Sequence, residues 1–274
     1  MSQAETSASV ARLFNLVASG YDSPALRFFP FVADYMTAKL PLKPGDRVLD
    51  VGTGTGVLAI AAAQSILPGG RVQAIDISPR MLDRLQAHMD KNVLGNIDVH
   101  EMDASKLEFR SDYFDVVVGN FVLFFLEDIQ AGLKGWARVA RPGATVAFTA
   151  FGPGAFQPML NAFRERYLSL DANASRQQLF DQPLESPDEC RQLAELAGLV
   201  DVTVETRDMG YHVKGVDDWW EVAWNAGLRG LLDKLPQEKL GRFKMAHLKE
   251  VAEMLGDQPY LNIETHFVSG RKPA

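Results

Sequence analysis

Hydrophobic and polar positions follow three regimes along the chain. Residues 9–19 place Val10, Leu13, Phe14 and Val17 at helical spacing, and Gly20 ends the pattern. Residues 24–40 predict a second helix with Leu26, Phe29, Val32, Ala33 and Met36 on one face, and Pro30 is expected to kink it. Pro41 and Pro44-Gly45 close this part. From Arg47 short apolar runs alternate with helical patterns. Strands are predicted at 47–51, 71–76, 97–102, 114–119 and 144–150, and helices at 56–67, 79–91 and 128–140. Ser78-Pro79 reads as an N-cap followed by proline at the first helical position. Arg141-Pro142-Gly143 reads as a turn before the fifth strand. This rhythm predicts βαβ units and a parallel sheet.

After Gly152-Pro153-Gly154 the rhythm breaks. A helix is predicted near 155–170, followed by a polar stretch. Ser186-Pro187-Asp188-Glu189 forms a capping box opening a helix at 187–197. Residues 199–208 alternate as a strand does, with Val200, Val202 and Val204 on one face. Residues 217–256 read as a second helical insertion, and Leu261 to Val268 as a last strand.

Composition narrows the function classes. The chain has 274 residues, 47% hydrophobic and 23% charged, as expected of an ordinary globular protein. Its net charge of -7 lacks the basic field of a general nucleic-acid binder, so no nucleic-acid partner is expected. No apolar run approaches the roughly 18 residues of a membrane span. The start, MSQAETSASV, shows no secretory signal, and a cytoplasmic setting is expected. The single cysteine, Cys190, excludes an internal disulfide and reads as a packed thiol. No CxxC or HExxH spacing is present, so no metal site is expected.

The most specific chemical signal is Val48-Leu49-Asp50-Val51-Gly52-Thr53-Gly54-Thr55-Gly56. A buried strand here runs into a glycine turn that opens an alanine-rich helix. Glycines at every second position let the backbone turn tightly and approach a ligand. A dinucleotide fingerprint needs a sixth-position glycine, where this chain has Val57. A P-loop needs a Gly-Lys-Ser/Thr end, which is missing. Asp50 would repel a pyrophosphate and suits a cationic group. The segment resembles motif I of the class I S-adenosylmethionine (SAM)-dependent methyltransferases. Ile75-Asp76-Ile77-Ser78-Pro79-Arg80-Met81-Leu82 and Leu13 to Asp22 resemble segments of the ubiquinone/menaquinone C-methyltransferase group within that family.

The resemblance covers residues 46–150 and implies a Rossmann-like α/β fold with a seven-stranded, mostly parallel sheet, N-terminal helices and a helical lid. Residues 1–45 would cap the cofactor and 46–151 form the SAM-binding core. Residues 152–198 would be a helical insertion and core helix, 199–210 and 259–271 the last two strands, and 211–258 the lid. The glycine turn (Asp50, Gly52, Thr53, Gly54, Gly56) would face the methionine part of SAM. Asp76 would accept from the ribose hydroxyls, with Ile77 on the adenine face; as a helix N-terminal acid it has an alternative structural role. Asp103 and Ala104 would meet the adenine edge; a strand-end aspartate that hydrogen-bonds its own backbone to form a turn is the structural alternative for Asp103. Met81, Asn120 and Phe121 complete the cofactor set, and Tyr21 would close over it. S-adenosylhomocysteine (SAH) is the implied product.

The acceptor should be read from the lid. Tyr211, His212, Trp219, Trp220 and Trp224 cluster there, and Phe151, Phe156, Phe163 and Tyr167 come from the first insertion. Phe151, Tyr211, Trp220 and Trp224 form the expected acceptor pocket, although the same rings could instead dock the lid on the sheet. His212 is the candidate general base; His88, His100, His247 and His266 are weaker candidates. The expected activity is methyl transfer by in-line displacement to a small apolar or aromatic acceptor. The alternatives are a SAM-binding protein catalysing another reaction, a nucleotide-dependent oxidoreductase, and a modifier of RNA or protein.

Overall fold

The computed structural model describes residues 3–170, 184–257 and 259–274. The polar stretch expected after the 155–170 helix lies outside the described residues. In chain order the elements are α1 (Gln3–Val17), a 3-10 turn (Pro24–Leu26), α2 (Phe28–Lys39), β1 (Arg47–Val51), α3 (Val57–Ser65), β2 (Arg71–Asp76), α4 (Pro79–Asn92), β3 (Ile97–Glu101) and β4 (Phe114–Gly119). There follow α5 (Ile129–Val139), β5 (Ala140–Phe151), α6 (Met159–Leu170), α7 (Pro187–Leu196) and β6 (Val200–Asp208). The excursion between β6 and the last strand, termed the lid, comprises β7 (Tyr211–His212), α8 (Val216–Asn225), α9 (Arg229–Leu232), α10 (Gln237–Leu255) and β8 (Tyr260–Leu261), and β9 (Glu264–Arg271) is the last element.

The seven-stranded sheet has the order β3-β2-β1-β4-β5-β9-β6. Strands β1 to β5 are parallel, and β9 runs antiparallel between β5 and β6. The chain winds outward in both directions from β1 and β4, so the strand order reverses there. Open α/β sheets bind ligands outside the carboxyl ends of the strands at such a point.

Side chains alternate between two buried layers. Val48, Val72, Ala74, Val116 and Val118 face α2, α3 and the lid. Leu49, Val51, Ile75, Val117 and Phe148 face α5 and α7. The second layer centres on Trp136, whose ring lies where a side chain at Gly119 would point; a Cβ there would come within 2.3 Å of it. The indole N–H donates to the Ala104 carbonyl at 3.2 Å. Core packing thereby reaches the end of β3.

Several boundaries differ from the sequence expectation: the first helix runs Gln3–Val17 where 9–19 is expected, and the helix expected near 155–170 starts at Met159. The 24–40 helix is interrupted at Arg27, and Pro30 sits in the first turn of α2 without kinking it. Proline clashes with the carbonyl four residues back, so a helix accommodates it at its start. Arg141 to Gly143 is extended and belongs to β5, with a register shift opposite Phe114 to Val116. The expected last strand divides: Tyr260-Leu261 pairs with β7, and the main sheet resumes at Glu264. The 217–256 insertion is three helices, with Pro236 opening the third. The Ser186–Glu189 capping box forms as expected, with both reciprocal bonds at 3.2 Å.

Candidate functional site

The glycine turn follows β1. Gly52, Gly54 and Gly56 all have positive φ (66°, 55° and 90°), a region costly for other residues. A Cβ on Gly52 would meet Val122, and one on Gly56 would meet Leu85. At Gly54 a Cβ would instead project toward the Tyr21 ring, 3.7 Å away.

Asp50 and Thr53 lie beneath this turn and are absent from the lining of the cleft above it. Thr53 donates to Asp50 at 2.7 Å, and the carboxyl is 1% exposed. Burial pushes its pKa up to about 7, against hydrogen bonds from Thr53 and the Ala59 N–H. Gly56 is the N-cap of α3, and Met81 packs under α1 against Val17 and Ala18. These four residues support the cleft from behind.

The cleft runs across the carboxyl ends of β3, β2, β1 and β4, lined in that order by Asp103 and Ala104, Asp76 and Ile77, Gly52 and Gly54, and Asn120 and Phe121. Asp76 accepts from the Gly54 N–H at 2.9 Å and from the Ser78 N–H at 2.8 Å. Burial raises its pKa to about 6, opposed by backbone N–H groups of Ser78, Gly54 and Ile77. Asp103 accepts from Ser7 of α1 at 2.6 Å and from Ser105 at 2.8 Å and 2.7 Å. Burial alone would raise the Asp103 pKa; the hydroxyls of Ser7 and Ser105 outweigh it and hold the group below its usual value. Thr6, Ser7, Val10 and Phe14 of α1 roof the cleft.

Tyr21 stacks on Phe29 with ring centroids 4.6 Å apart. Its phenol is pushed up by burial and by the carboxylates of Asp76 and Asp22, so it stays protonated. Phe121 has φ 55°, an outlier for a bulky side chain that costs about 1 kcal/mol or more. Its N–H donates to Thr149 at 3.0 Å, and its ring stacks on Phe151 at 4.0 Å.

Beyond Phe121 opens a cavity of about 710 Å³. Phe28, Phe29, Phe124, Phe125, Phe151, Phe156 and Trp219 line it, with Leu13 and Leu16 from α1. Val10, Phe14, Tyr21, Phe121 and Phe125 line both spaces, and so form the wall they share. Trp219 donates its indole N–H to His247 at 2.8 Å. Burial, with Arg166 nearby, pushes that histidine down to about 4, so it accepts as a neutral ring.

Of the expected acceptor residues, Phe151 lines the cavity and Tyr211, Trp220 and Trp224 do not. Tyr211 donates to the Ala25 carbonyl and lies under Arg27. Trp220 and Trp224 stack on each other beneath Lys244 and Arg229. His212 corrects another expectation: it is exposed on β7, its carbonyl bonded to Arg27 and its ring against Tyr260. None of the five histidines lines either space. Trp219, one of the clustered lid rings, lines the cavity, whereas Phe163 and Tyr167 of the first insertion do not; Phe14, Phe28-Phe29 and Phe124-Phe125 are cavity rings for which the sequence pattern assigned no pocket role.

Acids at the ends of adjacent strands, a glycine turn and an adjoining chamber walled largely by aromatic rings, with Arg12, Arg164, Glu185, Asp233 and Lys234 also in its lining, define a nucleoside-binding α/β protein with room for a second molecule. Residues 48–143 match the methyltransferase domain family. The chain is 32% identical over 149 residues to the aklanonic acid methyltransferase DauC of Streptomyces sp. (strain C5), a match covering 54% of this chain and 68% of that one. It is 31% identical over 171 residues to the ubiquinone/menaquinone biosynthesis C-methyltransferase UbiE of Vibrio vulnificus, covering 58% and 63%. The YcgJ protein of Bacillus subtilis shares the fold, with a TM-score of 0.60 at 16% identity over 88% of this chain and 98% of that one. The chain belongs to the class I SAM-dependent methyltransferases and resembles their ubiquinone/menaquinone group. Its cofactor is SAM. No helix among the described residues is long and apolar enough to cross a membrane.

Proposed function

We propose that this methyltransferase modifies a small, apolar or aromatic acceptor held in the phenylalanine-walled cavity. The observation that carries this reading is the shared wall: the chamber adjoins the cofactor cleft through Phe14, Tyr21, Phe121 and Phe125. The names of the two relatives point to small molecules too, one to aklanonic acid and one to ubiquinone and menaquinone biosynthesis.

The residues of the cleft suit SAM. Asp76, at the cleft, can accept from the ribose hydroxyls beside its backbone N–H partners, and Asp103 lines the same cleft where an adenine amino group would donate to it. Gly54 has no side chain to fill the space under Tyr21. When bound, SAM supplies an electrophilic methyl group on a sulfonium. The protein's part is to align an acceptor atom with that methyl and to exclude water, since in-line displacement depends on geometry. The aromatic wall shared by the two spaces would serve both ends, and no clamp on the sulfur is called for because the charge there falls as transfer proceeds.

Calorimetry with SAM and SAH tests the cofactor site; absence of binding would sink the reading. Methyl transfer from labelled SAM across aromatic and aliphatic acceptors tests the second half. Turnover confined to RNA or protein would overturn the small-molecule assignment.

A further inference from the structure

A single hydroxyl ties the outlet of β4 to β5. Thr149 of β5 is fully buried. Its hydroxyl accepts the Phe121 N–H at 3.0 Å and donates its one proton to the Asn120 side-chain oxygen at 2.6 Å. With that oxygen engaged, the Asn120 amide presents its two N–H donors toward the cleft it lines. The same hydroxyl anchors Phe121 in its left-handed conformation.

The order of groups along the cleft says what those donors meet. Asp103, Asp76 and the glycine turn stand on β3, β2 and β1, and Asn120 stands next, on β4. If Asp103 and Asp76 take adenine and ribose, Asn120 lies at the amino-acid end. A pair of N–H donors there suits a carboxylate.

We propose that Thr149 is a positioning residue: it locks the Asn120 amide with its donors facing the carboxylate of the cofactor and fixes Phe121 as the wall beside the methyl group. The proposal rests on the cofactor orientation given under Proposed function. The oxygen of a threonine hydroxyl makes both bonds at once; a valine of the same shape makes neither.

The test compares SAH with 5′-methylthioadenosine, which carries the nucleoside and sulfur without the amino-acid part. In calorimetry, Thr149→Val should weaken SAH binding about tenfold, the loss of one charge-assisted hydrogen bond, and leave methylthioadenosine binding unchanged. Thr149→Ser keeps the hydroxyl and should restore SAH binding. Asn120→Ala, at the cleft surface, should show the same selectivity without disturbing the buried position. SAH affinity unchanged in both Thr149→Val and Asn120→Ala overturns the proposal, and so does an equal loss of both ligands. Wild-type protein that binds methylthioadenosine as tightly as SAH refutes the carboxylate contact while leaving the nucleoside site intact. Wild-type protein that binds neither refutes the cofactor site itself.

Discussion

Asp50 and Asp76 are two carboxylates with different work, separated by burial and partners. Asp50 is sealed beneath the glycine turn, and Asp76 faces the cleft. Both pKa values lie above the ordinary carboxylate value, at about 7 and about 6. Between pH 4 and these values the folded protein holds protons that the unfolded chain has released. The stability of the ligand-free protein therefore falls as pH rises through this window. For Asp50 the fall approaches roughly 1 kcal/mol per pH unit between pH 5 and 6.5. Denaturant titrations across that range should show it, and Asp50→Asn should shrink it to the part that Asp76 contributes. SAH binding should run the other way, since ribose hydroxyls need the Asp76 carboxylate ionised as an acceptor. Its affinity should rise from pH 5 to pH 7 in the wild type. Asp76→Ala should remove that pH dependence and weaken binding by about 1–3 kcal/mol. Gly54→Val, which puts a branched side chain at positive φ under Tyr21, should damage SAH binding more than Asp76→Ala does.

Elements were legible in the sequence where a local rule decides them. The strands at 47–51, 71–76 and 114–119 and the capping box of α7 follow from apolar runs and reciprocal caps. The lid was legible as helical, but its inward faces were not. Trp220 and Trp224 make the obvious i,i+4 stripe, yet that stripe packs under basic side chains of α9 and α10. The cavity takes Trp219, Val222 and Ala226, a neighbouring face of the same helix and its end. Periodicity identifies a helix and its faces without saying which neighbour each face meets. His212 lies outside both spaces for a related reason: residue type and sequence clustering do not place a side chain. The cavity's other rings converge from α1, α2 and the segment after β4, distant in sequence. At this scale α1 is the clearest target, because it roofs the cleft and lines the cavity beyond. Removal of residues 1–17 should weaken SAH binding by about tenfold or more, equivalent to losing one or two strong contacts, with the core still folding cooperatively in a thermal melt.

Across the whole molecule, the cleft is built on the parallel strands, and much of the proposed acceptor cavity comes from α1, α2 and the lid. The two halves should respond separately to mutation. Trp219→Ala enlarges the cavity on the side away from Asp76 and Asp103. It should raise KM for an aromatic acceptor and leave SAH affinity unchanged in calorimetry; a parallel loss of both would mean that the halves are coupled.

The pairing of β6 with β9 bears on how such a protein diversifies. Asp208 at the end of β6 sits opposite Glu264 at the start of β9, so the lid leaves and rejoins the sheet at adjacent points. An excursion that begins and ends at one place can lengthen, shorten or be replaced at small entropic cost to the frame. Chimaeras that exchange residues 209–263 between relatives of this fold should therefore keep their cofactor chemistry while inheriting part of the donor's choice of acceptor.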